Sequence, residues 1–376
     1  MTQPADVHPM KWAEISLPAL RRNAAALQRA VGPGVELMAM VKADAYGHGV
    51  LDAARAFVEG GARWLGVALP GEALELRRAG LDVPILVVGW AHPDAHETLI
   101  RHDVDLTVPD PASVTAVRAA AERAGRPARV HLKVDTGMNR QGVRPEEVHA
   151  VLGHITNATA ELHLAGVFTH FADADGDDPE RTEQQHARFL PAVEAARDVH
   201  GDVLVHCANS AAALRFPHMR HGAVRPGIAL YGYLPAHCTG VDLRPAMTVR
   251  AVVSHLKTVR RGERVGYGGT WTAPADTRVA TVAAGYADGV HRAQANRGVV
   301  LAGGVRCPIV GAVSMDQVTV DVSAADGVRV GDAVIILGGR GGERLGADEV
   351  AAAEGTISYE VLCAVSARVP RRAVED

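Results

Sequence analysis

Lysine is rare in this sequence, and one lysine follows an apolar run, where its amine could act as a nucleophile. Only four of the 39 basic residues are lysines. Lys42 directly follows the apolar run 37–41, so its amine is expected to lose part of its hydration. Because desolvation favours the neutral amine, Lys42 is a candidate nucleophile for a Schiff base. The alternative interpretation is a strand-end lysine whose amine reaches solvent.

Other polar groups follow further apolar runs. Lys133 and His170 each stand at or near the end of such a run, and Arg225 lies within the run 223–230. Asn209-Ser210 precede a helix-like stretch, and Gly227-Ile228 follow Arg225. These two segments supply backbone N–H groups and a hydroxyl that are suited to a phosphate. Taken singly, these residues also fit a helix N-cap, a simple turn, a buried histidine or an ion-pair partner.

The elements that must position these residues alternate between strand-like and helix-like patterns. This alternation predicts an α/β fold, a (β/α)₈ TIM barrel, with an open doubly wound sheet as the alternative. In a parallel barrel the carboxyl ends of the strands converge at one mouth, so the polar groups above are expected to meet there. The predicted strands are 36–41, 64–69, 84–89, 104–108, 129–134, 165–170, 203–207 and 223–230.

The pattern of predicted elements changes after about Gly240. Short β-type runs separated by Gly, Pro and Asp turns occupy 246–337, and two helical stretches follow them. We therefore expect a barrel domain over 1–242 that binds the cofactor and a mostly-β C-terminal domain over 243–376.

Composition excludes several function classes. The chain has 376 residues, of which 48% are hydrophobic, and a formal net charge of -4. These values exclude intrinsic disorder and give no basic surface for nucleic acid or a membrane. The N-terminus shows no apolar leader, so a cytoplasmic protein is expected. The four cysteines form no CxxC pair and are interpreted as reduced thiols, and no metal site is predicted.

The order of several motifs resembles the alanine racemase family, pyridoxal-phosphate enzymes of fold type III. The resemblance spans essentially the whole chain, and the joint occurrence of the motifs is far more specific than any one of them. It rests on Val41–Gly49, Lys133–Arg140, His206–Ser210, Gly266–Gly268, Gly285–Gly289, Ser314–Gln317, Ile357–Glu360 and Arg368–Arg371.

The resemblance implies interconversion of L- and D-alanine through an external aldimine and two bases. Lys42 would hold the cofactor and act as base for the D-enantiomer, and Tyr267 would act for the L-enantiomer. His170, linked to Arg225, would perturb the Tyr267 phenol, and the arginine would face the pyridine nitrogen. The remaining cofactor-binding residues would be Tyr46, Asn209, Ser210, Gly227, Ile228 and Tyr359.

The resemblance further implies a substrate site and an assembly. Arg140, Met315 and Tyr286 would bind or gate the substrate carboxylate. Lys133 would be carbamylated and hold Arg140, the alternative being an unmodified lysine paired with Asp135 or Asp173. Since Tyr267 belongs to the C-terminal domain, each active site would be shared between the subunits of a homodimer. The product would supply peptidoglycan synthesis.

Small departures from the family pattern concern substrate preference only. Asp44, Asn139, Ser314 and Ala367 stand where relatives often carry other residues. Rival interpretations are a fold-III decarboxylase, a broad-specificity racemase and a non-catalytic single-barrel binding protein. Arg225 disfavours the decarboxylase, and the second domain disfavours the binding protein.

Overall fold

The computed structural model describes residues 9–339 and 342–375, which form two compact units. The barrel unit comprises residues 19–45 and 50–244, and the β unit comprises 9–18, 46–49 and 245–375. The first strand, β1 (Lys11–Ser16), therefore belongs to the β unit, although the sequence analysis assigned that region to the barrel domain. Its backbone pairs explain the difference, because β1 forms antiparallel pairs such as Lys11↔Ala251.

The barrel unit is a closed barrel of eight parallel strands, which confirms the predicted fold class and excludes an open sheet. The last strand closes the barrel on the first through the pairs Glu36↔Ala223 and Leu37↔Val224. The strands are β2 (Glu36–Met40), β3 (Trp64–Val67), β4 (Ile85–Val87), β5 (Val104–Val108), β6 (Ala128–Lys133), β7 (Leu162–Phe168), β8 (Leu204–His206) and β9 (Ala223–Val224).

Strand β9 is much shorter than the predicted run 223–230. Pro226 has no N–H for a strand ladder, and Gly227 has left the extended conformation (φ −114°, ψ −90°). The chain then turns through a 3-10 segment, Ile228–Tyr231. The early end of β9 leaves the N–H groups of 227 and 229 at the barrel mouth instead of in a sheet.

Helices alternate with these strands because their sequences carry start and stop signals. The Asp110 side chain accepts a 2.7 Å hydrogen bond from Ser113 N at the start of one helix, and Gly125 (φ +68°) ends it. The helices are α1 (Leu17–Val31), the turn α2 (Lys42–Gly47), α3 (Val50–Glu59), α4 (Pro70–Arg78), α5 (Pro93–Arg101), α6 (Pro111–Ala124), α7 (Val148–Thr156), α8 (Glu180–Val199) and α9 (Ser210–Arg215).

The β unit contains a mixed sheet built around its longest strand, β10 (Met247–Val259), which pairs with β1, β13 and β17. Small β-branched and Ala side chains such as Val253, Val282 and Val320 fill its core. The other elements are β11 (Arg264–Val265), β12 (Trp271–Thr272), β13 (Thr277–Val282), β14 (Val299–Ala302), β15 (Val305–Pro308), β16 (Val318–Asp321), β17 (Ala333–Leu337), α10 (Ala347–Glu354), α11 (Ser358–Ala364) and β18 (Arg371–Val374).

Among the described residues, no helix combines the length and apolar character that a bilayer span requires.

Candidate active site

A left-handed helical turn follows β2 and begins with Lys42. Four consecutive non-glycine residues, 43–46, have φ between +52° and +54°, and Gly47 follows at +78°. Each such residue costs about 1–2 kcal/mol, so the surrounding structure must hold the turn in place. The Asp44 carboxylate accepts a hydrogen bond from Val50 N (2.8 Å), and Glu72 accepts one from Ala43 N (2.7 Å). These contacts give Lys42 a fixed backbone at the end of its strand.

Three predicted residues line one cleft at the barrel mouth. Lys133, Arg140 and His170 share it with Gln141, whose Oε1 accepts a 3.3 Å hydrogen bond from Lys133 Nζ. Burial, followed by the charges of Arg225 and Arg140, lowers the pKa of Lys133 to about 8. Lys133 is therefore mostly cationic at neutral pH but loses its proton more easily than an ordinary lysine.

The barrel mouth is electropositive. Burial is the main cause that lowers the pKa of His170 well below its ordinary value, and Arg225, Arg140, Lys133 and Lys42 lower it further. His170 is therefore neutral, and four cationic side chains converge around it. Such a set suits a ligand with anionic groups, such as a phosphate or a carboxylate.

Arg225 lies buried at the centre of this region and donates to several acceptors. Its Nη1 contacts His206 Nδ1 at 2.8 Å and the His206 carbonyl at 2.7 Å. Its Nη2 contacts the Thr169 carbonyl at 2.7 Å and His170 Nδ1 at 3.3 Å. Burial lowers its pKa to about 10, which keeps the guanidinium charged at neutral pH. Within the described residues, no carboxylate forms an ion pair with it.

A hydrogen-bonded chain continues from Arg225 through the barrel interior. His206 Nε2 lies 2.9 Å from His131 Nδ1, and His131 Nε2 lies 3.1 Å from Asp105 Oδ2. Arg225 can only donate and the Asp105 carboxylate can only accept, so every bond has one direction. Both histidines are thus neutral with the proton on Nε2. Burial and the Arg225 charge also lower the pKa of His206 well below its ordinary value.

The sequence analysis missed His131, His206 and Asp105 as partners of the predicted arginine. A usable signal exists for His131, because it stands two residues before Lys133 on β6 and therefore lies on the same face of the strand. No such signal joins Asp105 on β5 to His206 on β8, which are linked through His131.

The predicted phosphate-binding groups also come together in the barrel unit. Ser210 Oγ accepts hydrogen bonds from Gly227 N (2.9 Å) and Ala229 N (3.4 Å). Asn209 Oδ1 accepts one from Ala212 N (3.0 Å), which fixes the start of α9. The Ser210 hydroxyl is thus held beside Ile228 by backbone donors and can donate its own proton to a ligand.

The three residues of the β unit that were predicted to act in catalysis or substrate binding are exposed. Tyr267 is 78% exposed, Met315 52% and Tyr286 41%. Tyr286 N donates to the Ser314 carbonyl (3.0 Å), so the segments of Tyr286 and Met315 adjoin. Tyr267 stands in a turn whose glycines at 266, 268 and 269 have positive φ.

Tyr46 and Tyr359 lie together in the β unit. Their ring centroids are 6.1 Å apart. Burial and the neighbouring Tyr359 and Cys363 raise the pKa of Tyr46 above its ordinary value, so its phenol keeps its proton. A neutral phenol is suited to donate a hydrogen bond to a phosphate oxygen.

Comparison with known proteins covers the sequence of both units. The sequence matches the family models for the alanine racemase N-terminal domain over residues 15–235 and the alanine racemase C-terminal domain over residues 246–373. The chain belongs to the alanine racemase family. It is thus a pyridoxal-phosphate-dependent amino-acid racemase, and the match to both domains excludes the single-barrel binding protein.

Curated relatives and solved structures of alanine racemases cover nearly the whole chain. An alanine racemase of Desulforamulus reducens is 45% identical over 96% of this chain and 98% of its own length, and one of Methanococcus maripaludis is 38% identical over 97% and 98%. The alanine racemase of D-cycloserine-producing Streptomyces lavendulae has a TM-score of 0.92 at 39% identity, covering 99% of this chain and 98% of its own. That of Bacillus anthracis with bound L-Ala-P has a TM-score of 0.91 at 36% identity, covering 99% and 97%.

Proposed function

We propose that this racemase interconverts L- and D-alanine with pyridoxal phosphate held covalently by Lys42. The observation that carries the proposal is the buried Arg225, which donates to the Thr169 carbonyl and His170 Nδ1 and forms no ion pair with a described carboxylate. The electropositive mouth fits the phosphate of the cofactor, and so does the Ser210 hydroxyl, which accepts from Gly227 N and can donate its own proton to a phosphate oxygen.

The residues that would hold the cofactor fall into two sets, one for its phosphate and one for its pyridine ring. Ser210, Gly227 and Ile228 would bind the phosphate with Asn209 fixing the local backbone, and the family resemblance adds Tyr46 and Tyr359. Arg225 would face the pyridine nitrogen. When bound, pyridoxal phosphate supplies the electron sink that acidifies the Cα–H of an amino acid.

Arg225 limits which reaction the site favours. A guanidinium that stays charged at neutral pH donates a hydrogen bond to the pyridine nitrogen without transferring a proton to it. The electron sink is then weaker than with a carboxylic acid partner. This property favours proton exchange at Cα over decarboxylation and transamination.

Two bases would exchange the Cα proton from opposite faces of the substrate. The Lys42 amine would serve one face and the Tyr267 phenol the other. A free phenol has a pKa of about 10, so Tyr267 needs a neighbour that lowers the cost of its ionisation. The neutral His170, held by Arg225, would be that neighbour.

Arg140, Met315 and Tyr286 would bind the substrate carboxylate. We also propose that Lys133 is carbamylated: its neutral amine attacks CO₂, an N–C bond forms and one amine proton leaves to solvent. The resulting carbamate would be an anion able to hold Arg140. The structure shows Lys133 bonded to Gln141 Oε1, and neither Asp135 nor Asp173 pairs with it, although both are described.

The exposed tyrosines support a shared active site. Tyr267 and Tyr286 give the β unit large exposed aromatic surface, which is typical of an interface. We therefore propose a homodimer in which Tyr267 serves the site of the partner subunit. The enzyme would act in the cytoplasm and supply D-alanine for peptidoglycan.

The test combines a product assay with mapping of the attachment site. Wild-type enzyme loaded with pyridoxal phosphate is expected to form D-alanine from L-alanine, and borohydride reduction should leave an adduct on the Lys42 peptide. Lys42→Ala should lose both signals, whereas the exposed Lys257→Ala should keep both. Tyr267→Phe should keep the adduct and lose at least about 100-fold in rate. An adduct on another lysine, or no D-alanine from wild type, would overturn the proposal.

A further inference from the structure

A group of three metal-ligating side chains lies outside the proposed active site. His186 on α8, Cys207 after β8 and His221 before β9 each offer one ligand atom, and these atoms all lie within 4.8 Å of one another. His186 and Cys207 are buried and His221 is half-buried. None of the three takes part in the proposed reaction.

The two histidines face each other through nitrogens that can serve as metal ligands. His186 Nε2 lies 2.9 Å from His221 Nε2, and the two ring centroids are 5.1 Å apart. One of the two nitrogens must lack a proton to accept this bond, so a lone pair is available between the rings. His221 is held with φ +47°, a conformation that costs a non-glycine residue free energy and persists only where its surroundings fix it.

We propose that His186, Cys207 and His221 bind a divalent ion of the Zn²⁺ class, with water as the fourth ligand. Two imidazoles and one thiolate form a donor set that zinc prefers, and their ligand atoms should be about 3.3–3.6 Å apart around a tetrahedral ion. The His186–His221 separation must open by a few tenths of an ångström to reach this geometry. The thiol of Cys207, which donates to the Met219 carbonyl at 3.0 Å, loses its proton to solvent when the S–metal bond forms. The proton held between His186 Nε2 and His221 Nε2 moves to the Nδ1 of the donor ring through solvent, so that both Nε2 lone pairs can bind the ion.

A second group gives the ion a path from solvent. Glu183, His186 and His218 form another set of three ligand atoms within 4.8 Å, and the first and last of these residues are exposed. His186 belongs to both groups. An ion captured at the surface by the Glu183–His218 pair can therefore pass to the buried site through a shared ligand.

The sequence analysis predicted no metal site because the cysteines form no CxxC pair. The ligands of this site come from α8, from the end of β8 and from the loop before β9, with spacings of 21 and 14 residues. Such spacings match no short motif, so the group is visible only once the barrel brings the three segments together.

The test is cobalt binding to the full-length, tag-free holoenzyme after removal of metals with a chelator. Wild type should bind one Co²⁺ per chain and show a thiolate-to-cobalt charge-transfer band. His186→Gln and His221→Asn should each weaken binding at least about tenfold, because even the loss of a residue behind a ligand costs that much. Asn is chosen at 221 because it tolerates positive φ.

A second histidine pair in the barrel unit is the matched control. The rings of His163 and His200 lie 5.5 Å apart, but this pair belongs to no group of three ligands among the described residues. His163→Gln should leave cobalt binding unchanged. Absence of the charge-transfer band in wild type, or equal binding by wild type and both ligand variants, would overturn the proposal.

Discussion

At the scale of single residues, the protonation states of the side chains at the barrel mouth can be measured directly. Since burial and nearby cations lower the pKa of Lys133 to about 8, its reactive neutral form increases as pH rises through that value. We predict that carbamylation of Lys133 by ¹³C-bicarbonate increases from pH 7 to 9 at constant dissolved CO₂. The measurement is the ¹³C carbamate signal, and Lys133→Ala is the control. An unmodified amine across this range would contradict the prediction.

The one-directional chain from Arg225 to Asp105 gives a second residue-scale prediction. In Asp105→Asn the amide oxygen is expected to face Arg129, which donates to both Asp105 oxygens at 3.0 and 3.2 Å. The amide NH₂ then faces His131 Nε2, which must accept, so the His131 proton moves to Nδ1. His131 Nδ1–H donates to His206 Nε2, and the His206 proton moves to its own Nδ1. Two donors, His206 Nδ1–H and Arg225 Nη1–H, then face each other. We expect a loss of about 1–3 kcal/mol in the free energy of unfolding.

The ¹⁵N spectrum of the histidines checks this directly, because it separates the two neutral tautomers. Asp103→Asn is the control, since Asp103 pairs with Arg126 at the surface of the same unit. It should change the free energy of unfolding by about 0.5 kcal/mol or less and leave the tautomers unchanged. A spectrum of Asp105→Asn identical to that of wild type would contradict the assigned direction of the chain.

At the scale of elements, the left-handed turn α2 depends on Gly47. An added Cβ at Gly47 would lie 2.5 Å from the Leu362 carbonyl, whereas one at Gly34 would meet nothing within 4 Å. Both glycines have positive φ, +78° and +82°. Gly34→Ala should therefore cost about 1–2 kcal/mol of unfolding free energy, and Gly47→Ala a further amount of about 1–3 kcal/mol. Urea unfolding of both variants measures the difference, and equal losses would contradict the close approach.

The same element shows where prediction from sequence stops. The barrel was predictable because apolar runs, caps and glycine stops are local, and the meeting of His170 with Arg225 follows from the convergence of the parallel strands at one mouth. The turn after Lys42 was not predictable, because Ala43 and Tyr46 carry no local preference for positive φ. The end of β9 had a local signal in Pro226, which the apolar composition of its run concealed. The bond between His131 and His206 was not predictable either, because β6 and β8 are not neighbouring strands.

At the scale of the whole molecule, the β unit poses the question of assembly. Its exposed Tyr267 is the residue on which the proposed two-base exchange depends. If that phenol serves the partner subunit, a dimer can be formed from one chain that lacks Lys42 and one chain that lacks Tyr267. One of its two sites then has both residues intact. Two inactive variants then become informative together.

The most direct test of this account mixes Lys42→Ala and Tyr267→Phe chains in equal amounts under conditions that exchange subunits. In a heterodimer one site combines both defects, and the other combines an intact Lys42 with an intact Tyr267 from the partner. Random pairing makes half of the dimers heterodimers, so the mixture should recover about a quarter of the wild-type rate of D-alanine formation. Activity no higher than that of the separate variants, with heterodimers shown to be present, would contradict the shared two-base site.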